Sequence, residues 1–344
     1  MPVNIFAQKP ETIQASLIGK FPDYRYKQFA DWFYKKMVFD PREATNLPKD
    51  FVEYLMNHFS WHLPEIDCSL TAEDQTTKYR LRLEDGSLVE MVLIPSANKR
   101  TLCVSSQVGC ARACSFCATG TLGLKRSLHT HEIVGQIMLA TSLSTEPRLS
   151  NLVFMGMGEP LDNLDSVLES LMIIQSPQGL AFSPRRTTVS TSGIPQGIIR
   201  LADSGVKTKL AVSLNSAIDE KRERLMPVNR LFPLSELKEA LRYYLNKSSF
   251  RVTFEYIMIP EVNMGDEDIT ALKRFAGDLS CKINFIPYNT VPNLPFRSPS
   301  EIEIDTFLAK AQSLNQAVTL RRSRGAEVCG ACGQLAGLKG DNNT

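Results

Sequence analysis

The sequence predicts an α/β fold in which a parallel β-sheet is covered by helices. From Leu102 onwards, apolar β-prone runs alternate with helical stretches, a pattern typical of parallel sheets with helical crossovers. The chain has 344 residues, 43% of them hydrophobic and 22% charged. That is long enough for one large domain and a smaller one. A doubly wound sheet and a barrel both fit the alternation.

Residues 1–65 are predicted to form a small helical domain. Between Pro10 and about Leu63, apolar residues such as Phe29 and Phe33 recur at three- and four-residue steps, which is the periodicity of a helix with one buried face. Basic residues intervene at Arg25, Lys27, Lys35 and Lys36. They form either a solvated surface or an RNA-binding face.

Residues 66–100 are predicted to form a β-hairpin that links the two domains. Two β-prone runs flank Asp85-Gly86, and Asp-Gly between such runs is a strong hairpin signal. Glu90 lies in the second strand. A carboxylate in a strand usually marks the wet face of a sheet, so the pattern alone assigns it no role.

Residues 101–344 are predicted to form the core domain. Its strands are expected at Leu102–Ser106, Leu152–Met155, Thr187–Thr191, Lys209–Ser213, Arg251–Met258, Lys282–Ile286 and Val318–Arg321. Its helices are expected to include His131–Ser142, Asp165–Gln175, Ile194–Ser204, Leu234–Asn246, Asp268–Asp278 and Glu301–Leu314. Ligands bind at the carboxyl ends of the strands in such folds. The unusual residues follow the strands: Cys110, Gly156-Met157-Gly158-Glu159-Pro160, Ser190, Ser192, Ser213-Leu214-Asn215, Asn289, Cys329 and Cys332.

The most informative stretch is Cys110-Ala-Arg-Ala-Cys114-Ser-Phe-Cys117, in which three thiols fall within one loop. A structural zinc site needs four protein ligands, and Cys103, His129 or His131 would have to supply the fourth at an unusual spacing. Cysteine thiolates also hold [4Fe–4S] clusters. Three ligands would then leave one iron open for a small molecule, with Phe116 shielding one side.

Bulk properties place the chain in a reducing compartment. The N-terminal residues have no apolar signal region, and no apolar run approaches the length of a membrane span. We therefore expect a cytoplasmic protein with no membrane partner, in which the eight cysteines serve metal binding or catalysis. The formal net charge of +2 is compatible with a nucleic-acid partner.

The cysteine loop resembles the signature of radical S-adenosylmethionine (SAM) enzymes, whose open iron binds SAM. Four strings extend the resemblance to the RlmN/Cfr family of RNA methyltransferases over nearly the whole chain. They are Cys103-Val-Ser-Ser-Gln-Val-Gly-Cys110, Phe154-Met-Gly-Met-Gly-Glu-Pro160, Val189-Ser-Thr-Ser-Gly193 and Ala331-Cys332-Gly-Gln-Leu-Ala-Gly337. Because radical SAM enzymes commonly use a partial (β/α)6 barrel, the resemblance favours a barrel over a doubly wound sheet.

The resemblance implies a reaction and its residues. An adenine ring carbon is electrophilic and does not attack the methyl group of SAM, so a radical route carried by the cofactor is required. Cys332 would take a methyl group from one SAM, and a radical made from a second SAM would convert it into a methylene radical that adds to adenine. Glu90 would accept the ring proton. Cys103 would release the product by a transient disulfide with Cys332.

The same resemblance implies the cofactor contacts and partners. Cys110, Cys114 and Cys117 would hold a [4Fe–4S] cluster, and two SAM molecules would be used per turnover. Gly158, Glu159, Ser190, Ser213, Leu214, Asn215 and Asn289 would bind SAM. The expected partners are large-subunit (23S) ribosomal RNA, transfer RNA and an electron donor such as flavodoxin or ferredoxin, with the enzyme as a monomer.

Two subfamilies remain open. Val189-Ser-Thr-Ser-Gly193 is more similar to RlmN, which methylates carbon 2 of adenine; Cfr-like enzymes methylate carbon 8 and confer antibiotic resistance. A zinc-stabilised RNA-binding protein without catalysis is the alternative of another class. The chain departs from the family at Asn215, where His is usual, and at Cys329, an extra thiol close to Cys332 that is either inert or able to pair with it.

Basic residues near strand ends are candidate phosphate contacts or solvated charges. They are Arg185-Arg186, Arg222, Arg224, Arg321-Arg322 and Arg324.

Overall fold

A computed structural model describes residues 2–144 and 148–336. Gly337, which ends the last family string, and the rest of the predicted core domain up to residue 344 lie outside the described residues. Within the described ranges, no helix combines the length and the apolarity that a membrane crossing requires.

The first 60 residues form a mostly helical module, as the apolar periodicity predicts. Its elements are β1 (Val3–Asn4), α1 (Pro10–Leu17), α2 (Asp23–Ala30), α3 (Lys49–His58) and β2 (Phe59–Ser60). A π-helical turn over Asp31–Lys35 continues α2. Phe29 and Phe33 stack with ring centroids 5.1 Å apart in the buried core. Lys27, Lys35 and Lys36 are exposed.

An antiparallel meander follows the module. It comprises β3 (Glu65–Thr71), β4 (Thr77–Arg82), β5 (Leu88–Ser96) and β6 (Lys99–Cys103). The predicted hairpin joins β4 to β5 through Asp85-Gly86, where Gly86 has φ +77°. Strand β5 is buried along most of its length, because it pairs with β4 on one side and β6 on the other.

The predicted cysteine loop lies between two short strands. They are β7 (Gln107–Gly109) and β8 (Leu124–Ser127), which pair antiparallel, and the short helix α4 (Ala118–Thr121) lies between them. Helix α5 (Thr130–Leu143) then returns the chain to the sheet. Its N-terminus has a capping box in which Glu132 accepts a hydrogen bond from the His129 backbone N–H at 2.8 Å.

The remaining chain alternates strands and helices, as predicted. The strands are β9 (Leu149–Phe154), β10 (Thr187–Thr191), β11 (Lys209–Ser213), β12 (Val252–Met258), β13 (Cys281–Pro287) and β14 (Ala317–Leu320). The helices are α6 (Leu164–Gln175), α7 (Pro195–Asp203), α8 (Asp219–Leu225), α9 (Leu234–Lys247), α10 (Asp266–Ala276) and α11 (Glu301–Ala311).

One sheet joins the meander to these strands in the order β14-β13-β12-β11-β10-β9-β6-β5-β4-β3. The seven strands β6, β9, β10, β11, β12, β13 and β14 are parallel and are added in chain order. A doubly wound sheet reverses its strand order at a switch point, and this sheet does not. The order is that of an open β/α barrel, which confirms the predicted fold class and brings the strand ends to one rim.

Candidate active site

The cysteine loop is closed at its base by a backbone contact that requires glycine. Gly109 has φ +79°, and a Cβ there would lie 1.9 Å from the Gly123 carbonyl oxygen. The Cys110 N–H donates to that oxygen at 2.9 Å. Beyond this base, the Ser115 N–H donates to the Leu225 carbonyl at the end of α8 at 2.9 Å. The loop is thus fixed at both its root and its tip.

The three predicted metal-binding thiols line one cavity at the rim of the barrel. Burial raises the pKa of Cys110 to about 11 and raises the pKa of Cys114 well above its usual value. A buried thiol becomes a thiolate readily only when a positive centre takes the place of its proton. The donor set and its burial therefore suit a metal centre.

The arrangement also bears on which centre fits. Among residues 2–144 and 148–336, no three His, Cys, Asp or Glu side chains converge as the ligands of one metal ion do. A [4Fe–4S] cluster does not require such convergence, because each thiolate binds a different iron. Phe116 is buried between the cysteines, in an apolar cluster with Met226 and Tyr288. The cluster packs against Cys114 and Cys117, which is compatible with the shielding role predicted for Phe116; that role stays a prediction.

Four of the seven predicted cofactor-binding residues also line this cavity. The predicted residues at its wall are Cys110, Cys114, Cys117, Gly158, Glu159, Ser190, Ser213 and Cys332. They come from the cysteine loop, from the ends of β9, β10 and β11, and from the C-terminal segment. The convergence expected from the carboxyl ends of parallel strands is therefore present.

The turn after β9 owes its glycines to packing within the protein. Gly158 has φ +102°, and a Cβ there would lie 2.7 Å from the Gln107 backbone nitrogen. Both carboxylate oxygens of Glu159 are engaged: Oε1 accepts from the Leu161 N–H at 3.0 Å and Oε2 from the Ser192 N–H at 2.7 Å. Burial raises the pKa of Glu159. A carboxylate has further lone pairs, so Glu159 can still accept from a ligand.

Arg222 supports the neighbouring strand ends from inside. It is fully buried, and its guanidinium donates to the Leu214 carbonyl at 3.2 Å, to Asn229 Oδ1 at 2.7 Å and to the Ser192 carbonyl at 2.5 Å. Burial lowers its pKa to about 10. The phosphate contact considered for Arg222 is therefore wrong, because this side chain connects the ends of β10 and β11 and does not reach the surface.

Two further residues of the cavity wall have no predicted contact with SAM: Ser192 is predicted only as a residue that closes its strand, and Glu255 is not among the predicted site residues. Ser192 Oγ and Glu255 Oε2 are buried without a hydrogen-bond partner, and both side chains line the cavity. Buried polar atoms are normally paired, so these two are available to a ligand. A carboxylate inside the apolar strand β12 was the sequence signal for Glu255.

A second cavity adjoins the first and contains the two predicted reactive thiols. Cys103, at the end of β6, and Cys332 both line it, and Cys332 lines the first cavity as well. All eight cysteines lie within the described residues and are free thiols. The structure thus shows no disulfide between Cys103 and Cys332, and the transient bond predicted between them stays a prediction.

Arg321 separates the two cavities. It lines both of them, and its Nη1 lies 3.9 Å from Glu255 Oε2. The nearby Cys332 sulfur, when ionised, raises the pKa of Arg321. Arg321 thus faces the thiols, whereas Arg322 pairs with Glu301 at the surface.

The segment that carries Cys332 is held by three hydrogen bonds from two distant parts of the chain. Asn289 Nδ2 donates to the Cys332 carbonyl at 3.1 Å. The Ala118 N–H donates to the Gly333 carbonyl at 2.7 Å. Thr119 Oγ1 donates to the Leu335 carbonyl at 2.5 Å. Asn289 lies beside Cys332 but is not part of the wall of either cavity.

Leu214 and Asn215 lie behind the wall of the first cavity. Asn215 is buried with φ +55°, and its Oδ1 accepts from the Ile257 N–H at 2.9 Å. Its Nδ2 lies 3.2 Å from Met226 Sδ. The side chain that replaces the usual His is thus engaged in the packing of β11 against β12.

Glu90 is buried between the hairpin and the C-terminal segment. Its Oε1 lies 3.1 Å from Lys78 Nζ, and its Oε2 accepts from the Ala336 N–H at 3.0 Å. The Ser105 hydroxyl donates to the Glu90 carbonyl at 2.6 Å and accepts from the Met157 N–H at 2.9 Å. One hydroxyl therefore connects the strand of Glu90 to the turn that contains Gly158.

Known proteins share the motifs and the architecture. The family model described as the Radical SAM superfamily matches residues 104–273. A relative from Dictyoglomus turgidum, named probable dual-specificity RNA methyltransferase RlmN, is 41% identical over 92% of this chain and 91% of its own. One of the same name from Akkermansia muciniphila is 43% identical over 96% and 94%.

A solved structure agrees with these matches. A radical SAM methyltransferase from Sphaerobacter thermophilus superposes with a TM-score of 0.93 at 37% identity, covering 98% of this chain and 100% of that one. The likeness includes both the helical module and the barrel.

Proposed function

The chain belongs to the RlmN family of radical SAM RNA methyltransferases, and from this membership we propose that it methylates carbon 2 of an adenine in large-subunit ribosomal RNA and in transfer RNA. The curated relatives reported above have the RlmN name and are called dual-specificity RNA methyltransferases. This favours carbon 2 over the carbon 8 position of Cfr-like enzymes. It also favours catalysis over a purely structural zinc protein.

The observation that carries the proposal is the position of Cys332. This thiol borders the cavity of the cysteine loop on one side and the cavity of Cys103 on the other. A residue that accepts a methyl group, presents it to adenine and is finally released by a second thiol needs access to both places. The two adjoining cavities offer that access.

Family membership implies a [4Fe–4S] cluster and the use of SAM, which together supply the radical chemistry when bound. We propose that Cys110, Cys114 and Cys117 hold the cluster, since these thiols share the cavity wall. Bound SAM would meet Glu159 and the backbone of Gly158. The other proposed contacts are Ser190, Ser213, Leu214, Asn215 and Asn289, of which Asn215 acts by holding the wall of the cavity in place.

Three residues of the protein have separate roles in the proposed reaction. Cys332 carries the transferred carbon and becomes bonded to the RNA base. Glu90 accepts the proton that leaves the ring, as an ionised carboxylate within hydrogen-bond reach can. Cys103 attacks the Cys332 sulfur, so that an S–S bond forms as the bond from that sulfur to the transferred carbon breaks. The bonding electrons stay with that carbon, which takes up a proton and becomes the methyl group of the released base. Two molecules of SAM are used in each cycle.

RNA contact is assigned to the helical module and the rim. The exposed Lys27, Lys35 and Lys36 on the module support this, because phosphate contacts come mostly from such side chains. A cytoplasmic site of action, a monomeric state and reduction by a flavodoxin or ferredoxin remain predictions of the family resemblance.

The test is chemical analysis of the methylated nucleoside. Ribosomal RNA fragments and transfer RNA are treated with the anaerobically reconstituted protein, SAM and a reductant, then digested and analysed by mass spectrometry with chromatography. We expect 2-methyladenosine, and protein containing about four iron and four sulfide per chain. A product dominated by 8-methyladenosine would move the enzyme to the other subfamily. One zinc per chain and no methylated base would refute catalysis.

A further inference from the structure

A buried ion pair joins two neighbouring strands of the hairpin. Lys78 on β4 and Glu90 on β5 are 9% and 1% exposed at their side chains, with Nζ and Oε1 3.1 Å apart. Removing two charges from water costs several kcal/mol per ion before their attraction is counted. A hydrophobic pair would be an easier way to fill this space, so the pair calls for a reason other than stability.

The second oxygen of Glu90 has a different kind of partner. Oε2 accepts from the Ala336 N–H at 3.0 Å, and Ala336 lies four residues after Cys332. Lys78 belongs to a regular strand paired with β3 and β5, whereas residues 329–336 carry neither helix nor strand. One carboxylate oxygen is therefore held by a fixed element and the other by a segment without regular structure.

We propose that Lys78 is a positioning residue for Glu90, and that Oε2 is the oxygen that accepts the ring proton. This inference rests on the proposed function, in which Glu90 is the proton acceptor. The Lys78 ammonium offsets the burial of the carboxylate charge and fixes its orientation through Oε1. Oε2 becomes free when the Cys332 segment moves the Ala336 N–H away, which links the availability of the base to the position of the methyl carrier.

A lysine that acts only through Glu90 has a kinetic signature. Lys78→Met should still form the covalent bond between Cys332 and RNA at close to the wild-type rate. It should release the product at least about ten-fold more slowly, since general-base catalysis contributes on the order of 10²–10⁴ in rate. Lys78→Arg, which keeps the charge, should recover most of the release rate.

The double variant separates positioning from general destabilisation. With Glu90→Gln in place, adding Lys78→Met should cause no further slowing, because both changes remove the same contribution. A lysine with a merely structural role would slow the double variant further. Lys238→Met is the matched control, because Lys238 on α9 pairs at 2.6 Å with Asp278, two residues after the end of α10, and this variant should keep wild-type rates.

The experiment follows adduct formation and decay on denaturing gels with the full-length, cluster-loaded protein. If Lys78→Met fails to fold, Lys78→Gln replaces it with the same expected result. Normal release by the neutral Lys78 variant while Glu90→Gln stalls would overturn this inference alone. Normal release by Glu90→Gln would instead refute Glu90 as the proton acceptor, and with it that part of the proposed function.

Discussion

The two thiols of the proposed reaction lie in contrasting surroundings. Cys103 ends β6, where it is paired in register with Val92 on β5 and Val153 on β9, and it is 8% exposed. Cys332 lies in an irregular segment held by single hydrogen bonds from Asn289, Ala118 and Thr119. Cys103 reacts only in the last step and does not need to move, so a position in a central strand suits it. Cys332 carries the transferred carbon from SAM to the RNA base, so its segment has to be held by contacts that can break.

Removal of the carrier gives the largest expected effect. Cys332→Ala should abolish both methylated RNA and the covalent adduct, because no other residue is proposed to accept the methyl group. Product is measured by mass spectrometry and adduct on a denaturing gel, with Cys68→Ala on β3 as the active control. Retained methylation would show that the carrier has been misassigned.

Removal of the Cys103 thiol should leave the first half of the reaction, up to the covalent adduct, intact. Cys103→Ala should stop after roughly one event per enzyme molecule, since the covalent intermediate forms but is not resolved. Because Cys329 is exposed and near Cys332 in sequence, it is a possible substitute. Cys103→Ala is therefore compared with the double variant that also carries Cys329→Ala. Normal turnover by both forms without adduct would exclude Cys103 as the resolving thiol.

The two environments should also differ in thiol reactivity before any RNA binds. Burial, with a smaller contribution from a charged Cys332, raises the pKa of Cys103 to about 12, which leaves roughly one thiolate in ten thousand at pH 8. Iodoacetamide should therefore label Cys103 orders of magnitude more slowly than the exposed Cys329. The Cys103 rate should rise as the pH approaches 12, because only the thiolate reacts. Equal labelling of the two at pH 8, measured by peptide mass spectrometry, contradicts this.

The smallest effect should come from loosening the Cys332 segment. Thr119→Val keeps the shape but removes the donor to the Leu335 carbonyl, at a cost of about 1 kcal/mol, or roughly five-fold in opening. Hydrogen exchange of the amides in 331–336 should speed up by that factor. Thr121→Val on the same short helix loses only a local bond to the Ala118 carbonyl and should leave this exchange unchanged.

The parallel strands could be predicted closely from the sequence. Thr187–Thr191 and Lys209–Ser213 match β10 and β11 residue for residue. Strand β10 consists of β-branched residues apart from Ser190, which favours a strand, and β11 has a buried apolar centre between polar ends, as strands inside parallel sheets do. Strand β3 could not be predicted from an alternation of apolar and polar residues, since it is an edge strand whose side chains are all exposed or half-buried. Helix α8 could not be predicted from apolar periodicity, because its seven residues DEKRERL contain a single apolar position.

The contacts that hold the site together could not be predicted from local sequence patterns. Glu90 and Ala336 are 246 residues apart, and nothing near either one indicates the other. Arg222 belongs to a charged run that resembles a solvated face, yet its side chain is fully buried. Residues that touch a ligand recur in motifs, whereas residues that hold those motifs in place depend on the assembled fold.

The position of the hairpin within the sheet has a consequence for solubility. An open barrel leaves the unpaired N–H and C=O groups of its first strand available to other chains, which is a common route to aggregation. Here β5 pairs with the full length of β6, so that β3 and not β6 is the edge strand on this side of the sheet. That strand contains Glu65 and Asp67, and its register shifts between Ile66 and Cys68, both of which discourage strand addition. A protein that lacked the hairpin would therefore be prone to aggregate through β6.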